Sequence, residues 1–206
     1  MADITIKLTG SNKQIENAIL KLFNDGVSNA VKSAAPDIER ETAILAEKAL
    51  RESPELKDLI EGDLRGQMGL SSRRASSAVE TIIKSISSTI KVTSKKTKLR
   101  SKGSAQAITI EAQPTHFRNL TSIPQGTQRY FSSRYTRMVD LKWLDWLLLE
   151  GDRIIVGKFY FEGSGKGRSG LGTMKSGGSF RIPPRYSGTA ANNFVTRAFN
   201  KNQFQS

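Results

Sequence analysis

The amino-acid sequence predicts an α+β protein in which a small antiparallel sheet packs against amphipathic helices. The N-terminal third carries apolar residues at helical spacing, whereas later segments alternate apolar and polar residues as strands do. A long basic β-hairpin and a glycine-rich arm extend this body. We expect one domain over 1–206, with a helical part at 11–87, sheet and loops at 88–162, and an arm with a C-terminal helix at 163–206.

Composition excludes several kinds of chemistry. The chain has no cysteine, which excludes disulfides, thiolate metal sites and cysteine nucleophiles. The N-terminus lacks the pattern of a secretion signal, and no apolar run reaches the ~20 residues of a membrane span, so we expect a cytoplasmic product without a membrane partner. Residues 1–63 carry 8 Lys/Arg against 12 Asp/Glu, whereas residues 64–206 carry 24 against 7. The basic part predicts attraction to a polyanion or an acidic protein.

The N-terminal third predicts a strand followed by helices. Alternation at 3–9 predicts the strand, and Ser11 with Gln14 predicts the capping box of a long amphipathic helix. Pro36 should break or kink this helix, because proline lacks the N–H donor. The apolar stripe before Pro36 comprises Ile15, Ile19, Leu22, Phe23, Gly26, Val27, Ala30 and Val31.

Two more helices are predicted before residue 88. Ser53 and Pro54 are typical of a helix start, and Gly62 of its end. Ser77 with Glu80 predicts a second capping box for a third long helix. The apolar face of that helix comprises Ala75, Val79, Ile82, Ile83 and Ile86.

Alternating segments at 88–94 and 106–112 predict a β-hairpin with a long tip. Cations on such a tip neutralise phosphates; the alternative is that they solvate a loop or meet an acidic neighbour. The tip cations are Lys95, Lys96, Lys98, Arg100 and Lys102. Residues 114–139 show no period, and their aromatics either stack on nucleic-acid bases or fill the core. That segment interleaves Phe117, Arg118, Arg129, Tyr130, Phe131, Arg134, Tyr135 and Arg137.

The stretch from Leu141 to Pro184 is the centre of the prediction. Leu141–Leu149 predicts a short buried helix, with Asp140 as its N-cap and Gly151 in the left-handed conformation after it. A strand at 153–162 completes the predicted sheet, and the glycine-rich arm follows it. Thr189 should cap a final helix, whose apolar residues are Phe194, Val195, Ala198 and Phe199.

Sites for catalysis, cofactors or metals are not predicted. Gly165–Gly170 has the glycine spacing of a dinucleotide-binding loop, but no helix opening follows it. Gly167 stands where the phosphate-binding loop of nucleotide hydrolases requires Ser or Thr. His116 is the only histidine, and no nucleophile motif accompanies it. We therefore expect no catalytic residue, no cofactor and no metal.

Three short segments resemble the tail-completion, or head-to-tail neck, proteins of tailed bacteriophages. They are Gly62-Asp-Leu-Arg65, Leu148-Leu-Glu-Gly151, and Arg181-Ile-Pro-Pro184 leading to the helix with Phe194 and Phe199. In that family a long helix packs on a small antiparallel sheet, a glycine-bearing loop follows the apolar helix, and a proline introduces the C-terminal helix. This chain has a longer glycine-rich arm.

The resemblance implies a noncatalytic virion protein, made in the host cytoplasm, that forms a ring between capsid and tail. Its partners would be copies of itself and other neck or tail proteins. The hairpin cations would face a lumen through which DNA passes, with nonspecific contact. The predicted subunit interface comprises Gly163, Gly165, Gly167, Arg168, Gly170, Gly172, Phe180, Arg181, Pro183 and Pro184.

Two other hypotheses stay open from the sequence. The first is a basic nucleic-acid-binding protein that acts alone, because the cation-rich hairpin and the aromatic segment do not require a ring. The second is a phosphodiesterase-type enzyme.

Overall fold

The computed structural model describes residues 12–99, 103–112, 116–132, 136–163 and 172–201. The predicted α+β class is confirmed, because helices occur together with small antiparallel sheets. The predicted first strand at 3–9 lies outside the described residues.

The chain divides into two compact units. Unit 1 contains residues 1–41 and 91–111, and unit 2 contains residues 42–90 and 112–206. The expectation of one domain stays a prediction.

In unit 1, helix α1 (Asn12–Arg51, of which residues up to 41 belong here) accompanies the hairpin of β1 (Lys91–Leu99) and β2 (Gly103–Glu111). The strands pair antiparallel from Lys91 opposite Glu111 to Leu99 opposite Gly103. At the base of the hairpin, the Val92 N–H donates to Glu39 Oε1 at 2.8 Å. This bond ties the hairpin to α1.

The predicted long tip of this hairpin is wrong. Lys95, Lys96 and Lys98 lie within β1, whereas Arg100 and Lys102 lie outside the described residues. The alternation of apolar and polar residues predicts shorter strands, because residues 94–106 carry few large apolar side chains. Backbone pairing needs no apolar alternation, so the ladder continues through them.

Pro36 does not break the helix, since α1 is one helix of 40 residues with Pro36 inside it, while the alternative of a kink there stays a prediction. An interior proline removes only its own donor and disturbs one carbonyl in the preceding turn. The remaining bonds of a long helix are enough to carry it past that position.

Unit 2 is mainly helical. Its helices after the end of α1 are α2 (Pro54–Glu61), α3 (Asp63–Gln67), α4 (Ser72–Ser87), α5 (Arg118–Thr121), α6 (Trp143–Leu148) and α7 (Phe194–Lys201), with a 3₁₀ turn at Pro124–Gly126. Ser53 caps α2 as predicted, because its Oγ accepts from the Leu56 N–H at 3.4 Å. The predicted start of α4 is wrong: Ser71 Oγ accepts from the Arg74 N–H, so Ser77 is interior.

The core of unit 2 forms around α4. This helix contacts α2, α5 and the 3₁₀ turn, while α6 contacts α5, α7 and the same turn. Trp143 is buried, and its Nε1–H donates to the carbonyl of Gln125 at 3.0 Å. The predicted apolar face of α4 is buried in full: Ala75, Val79, Ile82, Ile83 and Ile86. The helices therefore meet on that face.

The prediction of one shared sheet is wrong. The described strands form three separate two-stranded sheets: β1–β2, β3 (Gln128–Ser132) with β4 (Arg137–Leu141), and β5 (Val156–Glu162) with β6 (Thr173–Phe180). The β3–β4 pair falls in the segment without a period, and β6 takes part of the predicted arm. Two-stranded hairpins with exposed faces need no apolar alternation, which explains why the pattern missed them.

Two predicted helix caps are wrong as well. Asp140 lies in β4 opposite Arg129, and Lys142 precedes α6 instead. At α7, Asn193 Oδ1 accepts from the N–H groups of Val195 and Thr196, both at 3.1 Å, so Asn193 is the cap rather than Thr189. Gly151 has φ +66° after α6, as predicted.

Gly188 lies against the end of α6 without room for a side chain. Its N–H donates to the Trp146 carbonyl at 3.1 Å, and its carbonyl accepts from Gly151 at 2.8 Å. A Cβ on Gly188 would stand within 2 Å of the Leu147 carbonyl oxygen. Only glycine allows this approach of two backbone segments.

We expect Gly188→Ala to lower the free energy of unfolding by about 3 kcal/mol, because backbone must move to admit the methyl group. Urea unfolding followed by circular dichroism measures the change. Gly157→Ala is the control, because no atom lies within 4 Å of its Cβ position. Equal effects of the two substitutions would contradict the packing described for Gly188.

Candidate interaction surfaces

The first surface is the α1 apolar patch, which we define as Ile19, Leu22 and Phe23. These side chains are 60%, 74% and 68% exposed. Their spacing of three and four residues places them on one face of the helix. Val27 and Val31, from the same predicted stripe, are partly buried. The predicted stripe is therefore partly buried at its two valines and exposed at its larger side chains.

The second surface is the middle of the β5–β6 hairpin. Phe159, Tyr160 and Met174 are each 42% exposed. Consecutive strand residues point to opposite faces, so exposure of both Phe159 and Tyr160 means that both faces of the hairpin are open there. The register shifts beside them, where Lys158 has φ +66°. Such a bulge re-aims the neighbouring side chains.

The two ends of the same hairpin are held by contacts. Phe180, the last residue of β6, is buried in the core. Its ring lies 6.3 Å from the Phe161 ring between centroids, at an interplanar angle of 46°. Beside the connecting segment, Gly172 has φ +104° and a Cβ there would collide with the Phe161 ring. Nearby, the Glu162 carboxylate pairs with Lys175 across the strands and raises the pKa of Lys175. The exposed middle of the hairpin lies between these two held ends.

The predicted subunit-interface residues are not all on the surface. Phe180 is buried in the core, which corrects its assignment to a surface. Arg181 is exposed and pairs with Asp152 at 3.7 Å. The Pro183 carbonyl accepts from the N–H groups of Tyr186 and Ser187 at 2.8 and 3.1 Å, and Pro184 is exposed. Gly163 directly follows β5, and Gly172 directly precedes β6. The other four predicted residues lie outside the described residues: Gly165, Gly167, Arg168 and Gly170.

The aromatic-cationic segment is mostly structural where it is described. Phe117 is buried, and the Arg118 N–H donates to His116 Nδ1 at 3.2 Å at the start of α5. Arg129 Nε donates to Asp140 Oδ1 at 2.8 Å, and this bond lowers the pKa of Asp140. Arg134 and Tyr135 lie outside the described residues. Base stacking by Phe117 is therefore excluded.

An ion pair between the buried Glu55 carboxylate and the partly buried Arg197, which the sequence did not reveal, holds the C-terminal segment. Arg197 Nε donates to Glu55 Oε1 at 2.9 Å, and Glu55 is only 2% exposed. The same guanidinium donates to the carbonyls of Tyr186 and Ser187 at 3.4 and 3.3 Å. The two residues are 142 positions apart, so no local pattern could have paired them.

A cleft of about 850 Å³ lies beside this pair, between the start of α2 and the segment before α7. Arg185 stacks on the Tyr186 ring at 4.5 Å from its centroid. Burial raises the pKa of the Tyr186 hydroxyl, and the Asp58 carboxylate raises it further. The cleft contains cations and carboxylates together, which is typical of a structural ion-pair cluster.

Within the described part of the chain, no group of three His, Asp or Glu side chains is placed to hold a metal ion. Nor does any described helix have the length and apolar character needed to cross a membrane. Comparison with protein-family models, curated proteins and solved structures finds no match for this chain.

We expect Arg197→Met to lower the free energy of unfolding by about 3–5 kcal/mol, because it leaves the Glu55 carboxylate buried without its partner. The control is Arg181→Met, which breaks an exposed pair and should cost less than about 1 kcal/mol. Thermal or urea unfolding compares the two. A similar small loss in both variants would show that the Glu55 pair does not anchor the segment.

Proposed function

We propose that this chain is a noncatalytic structural protein of the virion, which assembles with copies of itself as a ring in the head-tail neck of a tailed bacteriophage. The α1 apolar patch carries this proposal. Large apolar side chains that share one exposed face are typical of a protein–protein interface. In a ring, the α1 apolar patch of each subunit contacts the next subunit, so the patch is buried in every copy.

The order of elements supports the same proposal. The resemblance implies a long N-terminal helix, a glycine after an apolar helix, and a proline before the last helix. Helix α1 has 40 residues, Gly151 follows α6, and Pro183 and Pro184 precede α7. Two of the segments that carry the resemblance, Gly62–Arg65 and Leu148–Gly151, thus fall at helix ends in unit 2, and the third directly follows β6.

The β5–β6 hairpin supports contact with a neighbouring subunit or another neck protein. An isolated two-stranded sheet with both faces open is marginally stable in water. Phe159, Tyr160 and Met174 would lose solvent exposure if another chain covered the hairpin. Gly163 and Gly172 lie at the ends of its connecting segment, the arm that the sequence predicts to reach a neighbour.

One observation favours the alternative of a nucleic-acid-binding protein that acts alone. Strand β1 places Lys91, Lys95, Lys96 and Lys98 within nine residues of one hairpin. A cationic ribbon of this kind suits nonspecific contact with phosphates. The hypotheses differ in oligomeric state: a monomer with tight, salt-dependent DNA affinity favours the alternative.

We expect the purified chain to form a multi-subunit ring, and Leu22→Glu/Phe23→Glu to abolish it. Four or more buried carboxylates around a ring would carry a large desolvation penalty. Size-exclusion chromatography with light scattering gives the mass, and negative-stain microscopy shows the ring. Circular dichroism should show unchanged helix content, since both positions are exposed.

The matched control is Asn17→Glu/Asn29→Glu, which adds the same charge at exposed polar positions of α1. It should leave the assembly intact. A native chain that is monomeric at all concentrations, or a Leu22→Glu/Phe23→Glu variant that assembles like the native chain, would contradict the proposal.

A further inference from the structure

A groove on unit 2 contains positive charge that the chain does not neutralise. It lies between the first turns of α4 and the segment formed by the 3₁₀ turn and the start of β3, and its volume is about 330 Å³. No carboxylate lines it. Its polar lining comprises Arg73, Arg74, Ser77, Gln125, Thr127 and Gln128.

The two arginines differ from most others in the described part of unit 2. Arg74 NH1 donates to the Gln128 Oε1 amide oxygen at 2.7 Å, and neither Arg73 nor Arg74 forms an ion pair with a described carboxylate. Five other described arginines of the unit pair with a carboxylate: Arg51 with Glu80, Arg129 with Asp140, Arg153 with Glu150, Arg181 with Asp152 and Arg197 with Glu55. The groove therefore keeps two adjacent, uncompensated cations.

Helix stability does not explain these cations. Arg73 and Arg74 lie in the first turn of α4, which has no acidic residue. The helix dipole favours anions at that end, so two cations there are unfavourable for the helix itself. A local preference that is broken without a compensating carboxylate among the described residues points to a role outside the chain.

We propose that this groove binds the phosphodiester backbone of DNA. Guanidinium groups donate paired N–H bonds that fit the oxygens of a phosphate. The hydroxyls of Ser77 and Thr127 and the amide of Gln125 add donors for phosphate or sugar oxygens. At about 30 Å³ per water molecule, the groove admits on the order of ten waters, which a phosphate and its sugar would displace.

The net positive charge of the rest of unit 2 favours a polyanion, rather than a single acidic side chain, as the ligand of the groove. Residues 42–90 and 112–206 carry 21 Lys/Arg against 12 Asp/Glu. Such an excess concentrates a highly charged ligand near the surface, and two arginines then hold two phosphates without reading bases. The site involves neither the β1 lysines nor the α1 apolar patch, so it goes beyond the proposed ring and does not depend on it.

The test is fluorescence anisotropy of a short labelled DNA duplex of mixed sequence, titrated with the full chain over a range of salt concentrations. Each phosphate contact contributes about 0.9 to the slope of log K against log salt concentration. Arg73→Ala/Arg74→Ala should therefore lower the magnitude of the slope by about 1.8. The matched control is Arg153→Ala/Arg181→Ala, which removes the same charge from exposed arginines that already pair with carboxylates; its slope should stay near the native value.

Two results would overturn the inference. Equal slopes for the two double variants would show that the groove holds no phosphate. The second result is a competition in which polyglutamate displaces the duplex at a lower concentration of negative charge than polyphosphate does. It would assign the groove to an acidic protein segment instead. The assembly-deficient Leu22→Glu/Phe23→Glu variant should keep the contribution of Arg73 and Arg74, so that failure of the ring and failure of the groove are distinguishable.

Discussion

The apolar face of α4 is the surface on which unit 2 depends. Val79, Ile82, Ile83 and Ile86 are all buried. At about 1.5–3 kcal/mol for each such side chain, they contribute on the order of 6–12 kcal/mol of transfer free energy. Because α2, α5 and the 3₁₀ turn all contact this helix, it joins the helical segments of unit 2. The buried Glu55–Arg197 pair then closes the C-terminal segment onto α2.

The buried residues in the core of unit 2 lie mainly on helices, and the described strands contribute little to it beyond Phe180. Phe161 and Phe180 anchor β5 and β6, whereas Phe159 and Tyr160 on the same strand remain exposed. In unit 1, the bond from Val92 to Glu39 holds the base of a hairpin whose strands continue well beyond it. Hairpins with exposed residues along their length suit contacts with other molecules, and they support the neck assembly that we propose from the α1 apolar patch.

The arginines of unit 2 differ in whether a carboxylate neutralises them. Several described arginines of unit 2 pair with a carboxylate, as Arg51 does with Glu80, where the bond lowers the pKa of the Glu80 carboxyl. Such pairs contribute little to the electrostatic field around the protein, because the two charges cancel. Arg73 and Arg74, in the first turn of α4, form no ion pair with a described carboxylate and line the groove proposed to bind DNA.

Local sequence patterns by themselves determined the α+β class, the Ser53 cap, the left-handed Gly151 and the buried face of α4. Each of these depends on neighbours within about one helical turn or on a repeated burial of one face. The division of the α1 stripe, the burial of Phe180, the separation of the strands into hairpins and the pairing of Glu55 with Arg197 were decided only by tertiary structure. These features depend on which distant segment covers a side chain. The Arg73–Arg74 groove belongs with them, since an arginine is visible in the sequence but the absence of its carboxylate partner is visible only in three dimensions.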